Sequence, residues 1–361
     1  NAASLVFDGS TGGLVYQGSI ANGNLTLGSR SASTDRLFTL SGTGATLSST
    51  ASNNNAIVWS NTGTIAHGVT GPQALIFTGT SAGDNTFNPQ LTDSGTGAHI
   101  TSVTKTGAGQ WNLGNTNNTY TGITTLGNGV LALNVNGALP ANSPVVIGTT
   151  TTSGILQMSG TLARNLAATP AAGTGTITWG GTTGGGGFAA HATPLTVTLN
   201  GGAGLTWGSG GFVGSGGVQA LLFNSASALS DVTFTNAIDL GSAVRTITVN
   251  DNTNTGADYA TMSGDLSGTG GGLLKNGAGI LRLTGASTYT GTTDISTGTL
   301  VVSSLGNSAS PGASSVGDST AGNTNAGAVL IGNAGTGGAV LQYVGAGETS
   351  DRKLRLNTTT G

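Results

Sequence analysis

The sequence predicts an all-β chain wound as a parallel β-solenoid, and three observations carry the prediction: an internal repeat, a composition rich in turn formers and poor in charge, and apolar runs of strand length. The repeat is anchored by Lys-x-Gly-Ala-Gly, found at Lys105-Thr106-Gly107-Ala108-Gly109 and again at Lys275-Asn276-Gly277-Ala278-Gly279. Each copy is followed by a leucine (Leu113, Leu283) and by Thr-Tyr-Thr-Gly (Thr119–Gly122, Thr288–Gly291). A Gly-x-Leu step comes next, Gly129-Val130-Leu131 in one copy and Gly298-Thr299-Leu300 in the other. The pairing extends to Leu156-Gln157-Met158 and Leu341-Gln342-Tyr343, with Gly160 and Gly345 beyond. Self-similarity at this period marks architectures in which each unit buries its apolar face against its neighbours.

Composition fits the same reading. Only 6% of the 361 residues are charged, against about 25% in an ordinary soluble domain. The 66 glycines, with abundant Thr, Ser and Asn, would suit a flexible linker if they were unpatterned. They are patterned, because short apolar runs recur between them: Leu25-Thr26-Leu27, Ala56-Ile57-Val58-Trp59, Val145-Val146-Ile147 and Leu300-Val301-Val302. Such runs, bounded by turn formers, signal many short strands. A helical reading fails because glycine, at a cost of about 1 kcal/mol per helical site, interrupts every window with helical periodicity. Alternation in Thr176-Ile177-Thr178-Trp179, Val232-Thr233-Phe234 and Thr246-Ile247-Thr248-Val249 puts one face in a core and the other in water. Glycine and asparagine then serve the tight corners, where positive φ is needed. At roughly 20 to 25 residues per coil the chain would form about 14 to 18 coils, a rod of about 70 to 85 Å at the strand spacing.

A third echo relates the two ends: Thr34-Asp35-Arg36-Leu37-Phe38 and Ser350-Asp351-Arg352-Lys353-Leu354, with weaker versions at Ala163-Arg164-Asn165-Leu166 and Val244-Arg245-Thr246-Ile247. These echoes predict one continuous solenoid over 1–361, with repeat units at about 105–170 and 275–356 and the end of a further unit at 1–104. The dense glycine run Gly180–Gly187 reads as a loop within that coil, since Leu195-Thr196-Val197-Thr198-Leu199 follows it. The opening Asn1-Ala2-Ala3-Ser4, with no initiator Met and no basic leader, reads as a processed end or an internal segment.

Several function classes lose support. A net charge of -3 and ten basic residues leave no stripe for phosphates, so nucleic acid is not an expected partner. No apolar run of about 18 residues is present to span a bilayer as a helix. The absence of cysteine removes disulfides and thiolate metal sites and is compatible with export. Polysaccharide hydrolysis would call for paired carboxylates. The one grouping in sequence, Asp231, Asp239, Asp251, Asp258 and Asp265, reads more simply as solvated or turn-capping side chains. Asp251-Asn252-Thr253-Asn254-Thr255-Gly256 has some of the oxygen spacing of a calcium loop, yet Met262 stands where the bidentate Glu belongs, so a turn is expected. Gly185-x-Gly187-x-x-Ala190 satisfies a dinucleotide fingerprint literally but has no helix to follow it. His67, His99 and His191 are too scattered to bind a metal. Trp59, Trp111, Trp179 and Trp207 are assigned to core or corner packing ahead of a sugar-stacking face. Thr-x-Thr steps at 176/178, 196/198 and 246/248 raise the idea of an ice-ordering hydroxyl array, against which Thr is simply a good strand residue. No catalytic, cofactor-binding or metal-binding residue is assigned.

At its Lys-x-Gly-Ala-Gly, Thr-Tyr-Thr-Gly and Gly-x-Leu positions, over about 105–133 and 275–302, the sequence resembles the autotransporter-associated β-strand repeat, also called the passenger-associated transport repeat. That resemblance implies right-handed parallel β-helices in large secreted or surface-displayed bacterial proteins, and it supplies no catalytic residues. The expected function is therefore structural and non-enzymatic: an extracellular fibre, stalk or surface filament built by solenoid stacking or extension, with further copies of the chain as partner. Two alternatives are a surface adhesin whose shaft displays ligand-binding loops (Gly180–Ala190 or Gly306–Asn325), with cell-surface glycans as partners, and a polysaccharide-degrading β-helix enzyme.

Overall fold

Successive turns of this chain hydrogen-bond to one another as parallel strands, and short apolar runs between glycine corners dictate that arrangement. The computed structural model describes residues 5–7, 13–17, 31–52, 54–181, 183–214, 219–320, 324, 326–332 and 338–356. The run Leu25-Thr26-Leu27 lies outside the described residues, as do residue 182 of the first expected loop and residues 321–323 and 325 of the second, and Gly186–Ala190 of the first is buried strand rather than loop. Strands are joined by turns and by three-residue helical turns such as Asn136–Ala138. The chain divides into two compact units, residues 1–158 with 169–180, and residues 159–168 with 181–361. The glycine run Gly180–Gly187 straddles that division.

The first unit has a ladder of seven parallel strands: Gly13–Tyr16, Gly44–Ser49, Gln73–Thr78, Thr101–Lys105, Thr124–Leu126, Val145–Ile147 and Ile177–Trp179. A second parallel ladder runs through Ala32–Thr34, Ile57–Trp59, Asn85–Phe87, Gln110–Leu113, Gly129–Leu133 and the start of Gly154–Arg164. A short third joins Val6–Phe7, Thr39–Leu40 and Ala66–His67.

The second unit repeats the plan. One ladder climbs from the start of Gly186–Leu199 through Ala220–Phe223, Val244–Val249, Gly272–Asn276, Thr293–Ile295 and Val329–Ile331 to Leu354–Leu356. Another climbs from the end of Gly186–Leu199 through Val232–Phe234, Ala260–Met262, Ile280–Leu283 and Gly298–Val302 to Ala339–Tyr343. The short third ladder is Leu205–Thr206, Ile238–Asp239 and Leu266–Ser267. Each unit is a parallel β-solenoid with two long ladders and one short one, as the sequence predicts.

Because side chains alternate along a strand, register stacks the inward ones into columns. In the first unit Leu47, Phe77, Lys105, Leu126, Ile147 and Trp179 are register partners in turn. In the second, Leu221, Ile247, Lys275, Ile295, Ile331 and Leu356 form the matching column. Rings fill the wider parts of each interior. Phe38 meets Phe7 edge-on at 5.1 Å and Trp59 at 5.4 Å, while Phe77 bridges Phe87 and Trp111. In the second unit Phe234 is contacted by Phe188, Phe212 and Phe223. Each such side chain contributes about 1.5–3 kcal/mol through burial.

The coil step is not uniform. Val103 pairs with Thr124 and Thr125 with Val146, 21 residues on in each case, whereas Leu300 pairs with Leu341. The ladder tolerates this because strand pairing fixes only the ends of each excursion, and surplus chain leaves the coil as a loop. Long steps therefore cost loop-closure entropy that grows slowly with length.

At the corners glycine is required by both conformation and space. Gly107 has φ +70°, and a Cβ there would lie 2.4 Å from the Gly79 carbonyl oxygen of the preceding coil. Gly97 has nearly the same φ, +69°, but faces open space. Replacing Gly97 with Ala should cost only the left-handed strain, about 1 kcal/mol. Gly107→Ala should destabilise the fold further, by about another 2 kcal/mol or more, and lower the thermal midpoint accordingly, because the coils must separate. Equal melting shifts for the two variants, followed by circular dichroism, would show that close approach of the coils does not limit this corner.

Candidate functional site

The repeated motif is the first place to look for chemistry, and its polar side chains turn inward. Lys105 and Lys275, two of the three lysines in the chain, are fully buried within otherwise apolar columns. The Lys105 ammonium donates to the carbonyl oxygens of Thr106 (2.7 Å), Gly107 (2.8 Å) and Asn128 (3.0 Å). The Lys275 ammonium donates to those of Gly277 (2.5 Å) and Thr297 (2.9 Å). Asn128 and Thr297 occupy the same place in the two copies, immediately before the left-handed glycines Gly129 and Gly298 of the next coil. The lysine thus ties its own corner to the corner above it. Burial pushes Lys105 down from 10.5 to about 7 and Lys275 to about 8, the latter opposed by the charge of Asp251.

The motif tyrosines behave alike. Tyr120 and Tyr289 are fully buried, and their hydroxyls pair with Thr124 (2.9 Å) and Thr293 (2.5 Å). Burial pushes the Tyr289 phenol up to about 12, so it stays neutral. Buried amides span coils in the same manner: Asn118 accepts from the Leu91 N–H and donates to the Ala138 carbonyl, and Asn236 accepts from the Leu199 N–H while donating to Ala203. The amides hold backbone to backbone, and the tyrosine hydroxyls are taken up by threonine side chains of the coil.

The fold brings only Asp251 and Asp258 of the aspartate grouping together, at the two ends of one turn. Asp239 accepts from the Gly241 N–H, Asp265 from the Ala286 N–H and Asp258 from the Asn252 N–H. Burial raises the Asp258 carboxyl above its ordinary value, against the pull of that N–H, and the Asp251 charge adds to the rise. Asn252 closes an Asx turn onto Asn254 and donates to Ala228, so the calcium-like stretch is a turn. Among the described residues no group of three or more His, Cys, Asp or Glu is placed to hold a metal. His67 is bonded to Gln73 and Thr92. Gly187 and Ala190 lie inside the strand Gly186–Leu199, where no helix opens toward a phosphate. All four tryptophans are buried, at 1% to 5% exposure, which leaves no stacking face for a sugar.

The long excursion after Gly298–Val302 is a built loop. Arg352, 7% exposed, donates to the carbonyls of Leu305, Val316 (3.2 Å), Gly317 (3.2 Å), Asp318 (3.1 Å) and Gly327 (2.8 Å) and to the Ser314 hydroxyl. Glu348 accepts from the N–H groups of Leu305 and Gly306, and Asp351 from the Ser308 N–H and hydroxyl. The Asp-Arg echo between the two ends has no common role, because Arg36 is exposed where Arg352 is buried.

Register also sorts the Thr-x-Thr steps. Thr178 pairs with Val146, and Thr246 lies between Ala220 and Leu274, so these two steps are isolated. Thr196 heads an outward column that continues through Thr233, Thr261, Arg282, Val301 and Gln342. Two residues further along each strand runs a second column: Thr198, Thr235, Ser263, Thr284, Ser303 and Val344. Adjacent strands carry it, the Thr198 and Thr235 hydroxyls meeting at 2.7 Å and the N–H of Ser263, Thr284 and Val344 each bonding back one coil. Sequence reading missed this face because the coil steps between its members are unequal, although Thr233-Phe234-Thr235 after Thr196-Val197-Thr198 was a signal.

Comparison with known proteins agrees with this architecture. The passenger-associated-transport-repeat family matches residues 103–133 and 273–302, so the chain carries two such repeats. A stretch of 170 residues is 33% identical to the adhesin BmaC autotransporter of Brucella suis biovar 1 (strain 1330), covering 44% of this chain and 4% of that relative. No solved structure matches. The repeats and this relative point to a secreted, cell-surface protein. No helix among the described residues is long and apolar enough to cross a membrane.

The buried lysines predict a pH dependence. Their folded values lie below the usual 10.5, so the unfolded chain binds more protons between about pH 7 and 10.5, and stability rises with pH across that window. The melting temperature of the native chain should climb from pH 7 to 10 relative to that of Lys105→Met/Lys275→Met. Parallel pH curves for the two proteins would show that the lysines stay fully charged when folded.

Proposed function

We propose that this chain is a non-enzymatic stretch of the passenger of a surface adhesin, a β-solenoid shaft that holds loops out for contact. The observation that carries the reading is the fate of the repeat chemistry. Lys105, Lys275, Tyr120 and Tyr289, the reactive residues that recur, are sealed inside and bonded to the coil itself. What repeats is the scaffold. Three of the five grouped aspartates, Asp239, Asp258 and Asp265, accept from backbone N–H groups. The adhesin relative supports a surface role of this kind, and the chain spans about 4% of its length.

The loop from Leu305 to Ser319 is the best candidate for the contact site. Arg352, Glu348 and Asp351 fix it at many points, and a pre-ordered loop forfeits less entropy on binding. Continuation of the coil, either within one long chain or by stacking of another copy, belongs to the same proposal. Leu354 and Leu356 are register partners of Val329 and Ile331, yet are 49% and 75% exposed, so this rung presents an apolar surface.

Display of the chain on a non-adherent bacterium should confer attachment to cultured epithelial cells. Replacement of residues 306–319 by a Gly/Ser segment should reduce that attachment at least tenfold at equal surface level. Attachment that is absent, or unchanged after the replacement, would overturn the loop-contact reading.

A further inference from the structure

The two outward columns of the second unit end in a groove, and the chemistry there differs from the rest of the face. Arg282, Val301 and Gln342 line one side and Thr284, Ser303 and Val344 the other, around a volume of about 360 Å³. That lies within the size range of small-molecule sites, roughly 300–1,000 Å³. Leu283 and Val302, between the columns, complete an apolar floor. The six groove-edge positions are two residues apart along three successive coils, so their side chains share one face at the rung spacing of about 4.8 Å.

Arg282 is the sole cation of this lining, and no carboxylate accompanies it. Its guanidinium stacks 3.6 Å over the Tyr259 ring, which fixes its plane and leaves its edge to make hydrogen bonds. The Nε–H has no acceptor. That nitrogen is enclosed by protein rather than open to the groove, so the match falls to the terminal fork of the guanidinium, which a planar carboxylate pairs in bidentate fashion. Around it stand the hydroxyls of Thr284 and Ser303 and the amide of Gln342, with the methyl groups of Val301 and Val344 between them. The Thr284 hydroxyl donates to the Met262 carbonyl (3.4 Å) and the Ser303 hydroxyl pairs with that of Ser315 (3.3 Å), so these oxygens offer lone pairs as acceptors beside the Gln342 amide. Such polar groups, alternating with apolar patches, suit a sugar ring, which presents hydroxyls at its edges and C–H groups on its faces. Toward lower residue numbers the hydroxyl pairs Thr261/Ser263, Thr233/Thr235 and Thr196/Thr198 extend the same surface.

We propose that this outer face binds an acidic polysaccharide along the coil axis, with a uronate carboxylate seated on Arg282. The proposal goes beyond the adhesive-loop reading and rests on different residues. Ice ordering by the Thr columns is the competing use, and the position of Arg282 argues against it, since a charged side chain with an apolar neighbour breaks the regular hydroxyl array after three coils.

The test is made on the purified 361-residue chain, so its outcome is separate from cell attachment. Oligogalacturonate and its fully methyl-esterified counterpart of the same length are titrated against the chain by calorimetry. The acid form should bind at least tenfold more tightly than the ester. Arg282→Gln should remove most of that difference, and Gln342→Ala should weaken binding of both forms by a few-fold. Arg36→Gln, an exposed arginine of the first unit, should leave binding unchanged, with circular dichroism confirming that each variant folds. Equal binding of acid and ester, no binding of either, or full affinity in Arg282→Gln would overturn the proposal. Inhibition of ice growth that persists in Arg282→Gln, without saccharide binding, would overturn it in favour of a water-ordering face.

Discussion

Parallel pairing between consecutive coils is the constraint on which the rest of the molecule depends. Once a strand lies in register on the strand one coil earlier, every inward side chain acquires a fixed neighbour above and below, and its volume must suit theirs. The inward columns that contain Lys105 and Lys275 show how closely this holds. A lysine stands where Phe77 precedes it and Leu126 follows in one unit, and where Ile247 precedes and Ile295 follows in the other. Its stem packs as an aliphatic chain while its head reaches the corner carbonyls. A buried ammonium is tolerated there because acceptors surround it, and it is specific because a change of register would move it away from them.

The parts legible in the sequence were those that every coil must repeat. Short β-branched runs, glycine corners and the two Lys-x-Gly-Ala-Gly copies sufficed for strands, their stacking in coils and the inward alternation. The register between non-repeated coils was hidden, because the excursions vary: Val103 to Thr124 is a short step, Leu195 to Val232 a long one, and Leu300 to Leu341 longer still. Nothing local to Thr196, Thr261 or Arg282 reveals that they share a column. Lys105 and Lys275 are legible as motif members, but a lone lysine in a polar stretch reads as solvated until the fold places it inside. Arg352 was noticed as an echo of Arg36, and only the fold shows that one is a buried hub and the other an exposed side chain.

This division has a functional side. The motif residues that recur between copies serve cohesion, while the outer face and the loops are built from residues that do not recur. A solenoid separates the two tasks physically, since alternate positions of one strand point to core and to water. The outer face can therefore change from hydroxyl pairs to the Arg282 groove over a few coils while the inner columns stay apolar. The large loop held by Arg352 likewise adds chain without disturbing the ladder that leaves Gly298–Val302 and resumes at Ala339–Tyr343.

The most direct measurement of inter-coil register exploits the absence of cysteine from the chain. Thr104 and Thr125 are register partners on an outward face, at a strand spacing that falls within the range disulfides accept. Thr104→Cys/Thr125→Cys should oxidise readily to an intramolecular disulfide. Thr104→Cys/Ile123→Cys, displaced by two residues along the same face, should not. Equal cross-linking of both pairs, or none in the first, would contradict the parallel coil-on-coil stacking from which every other conclusion here follows.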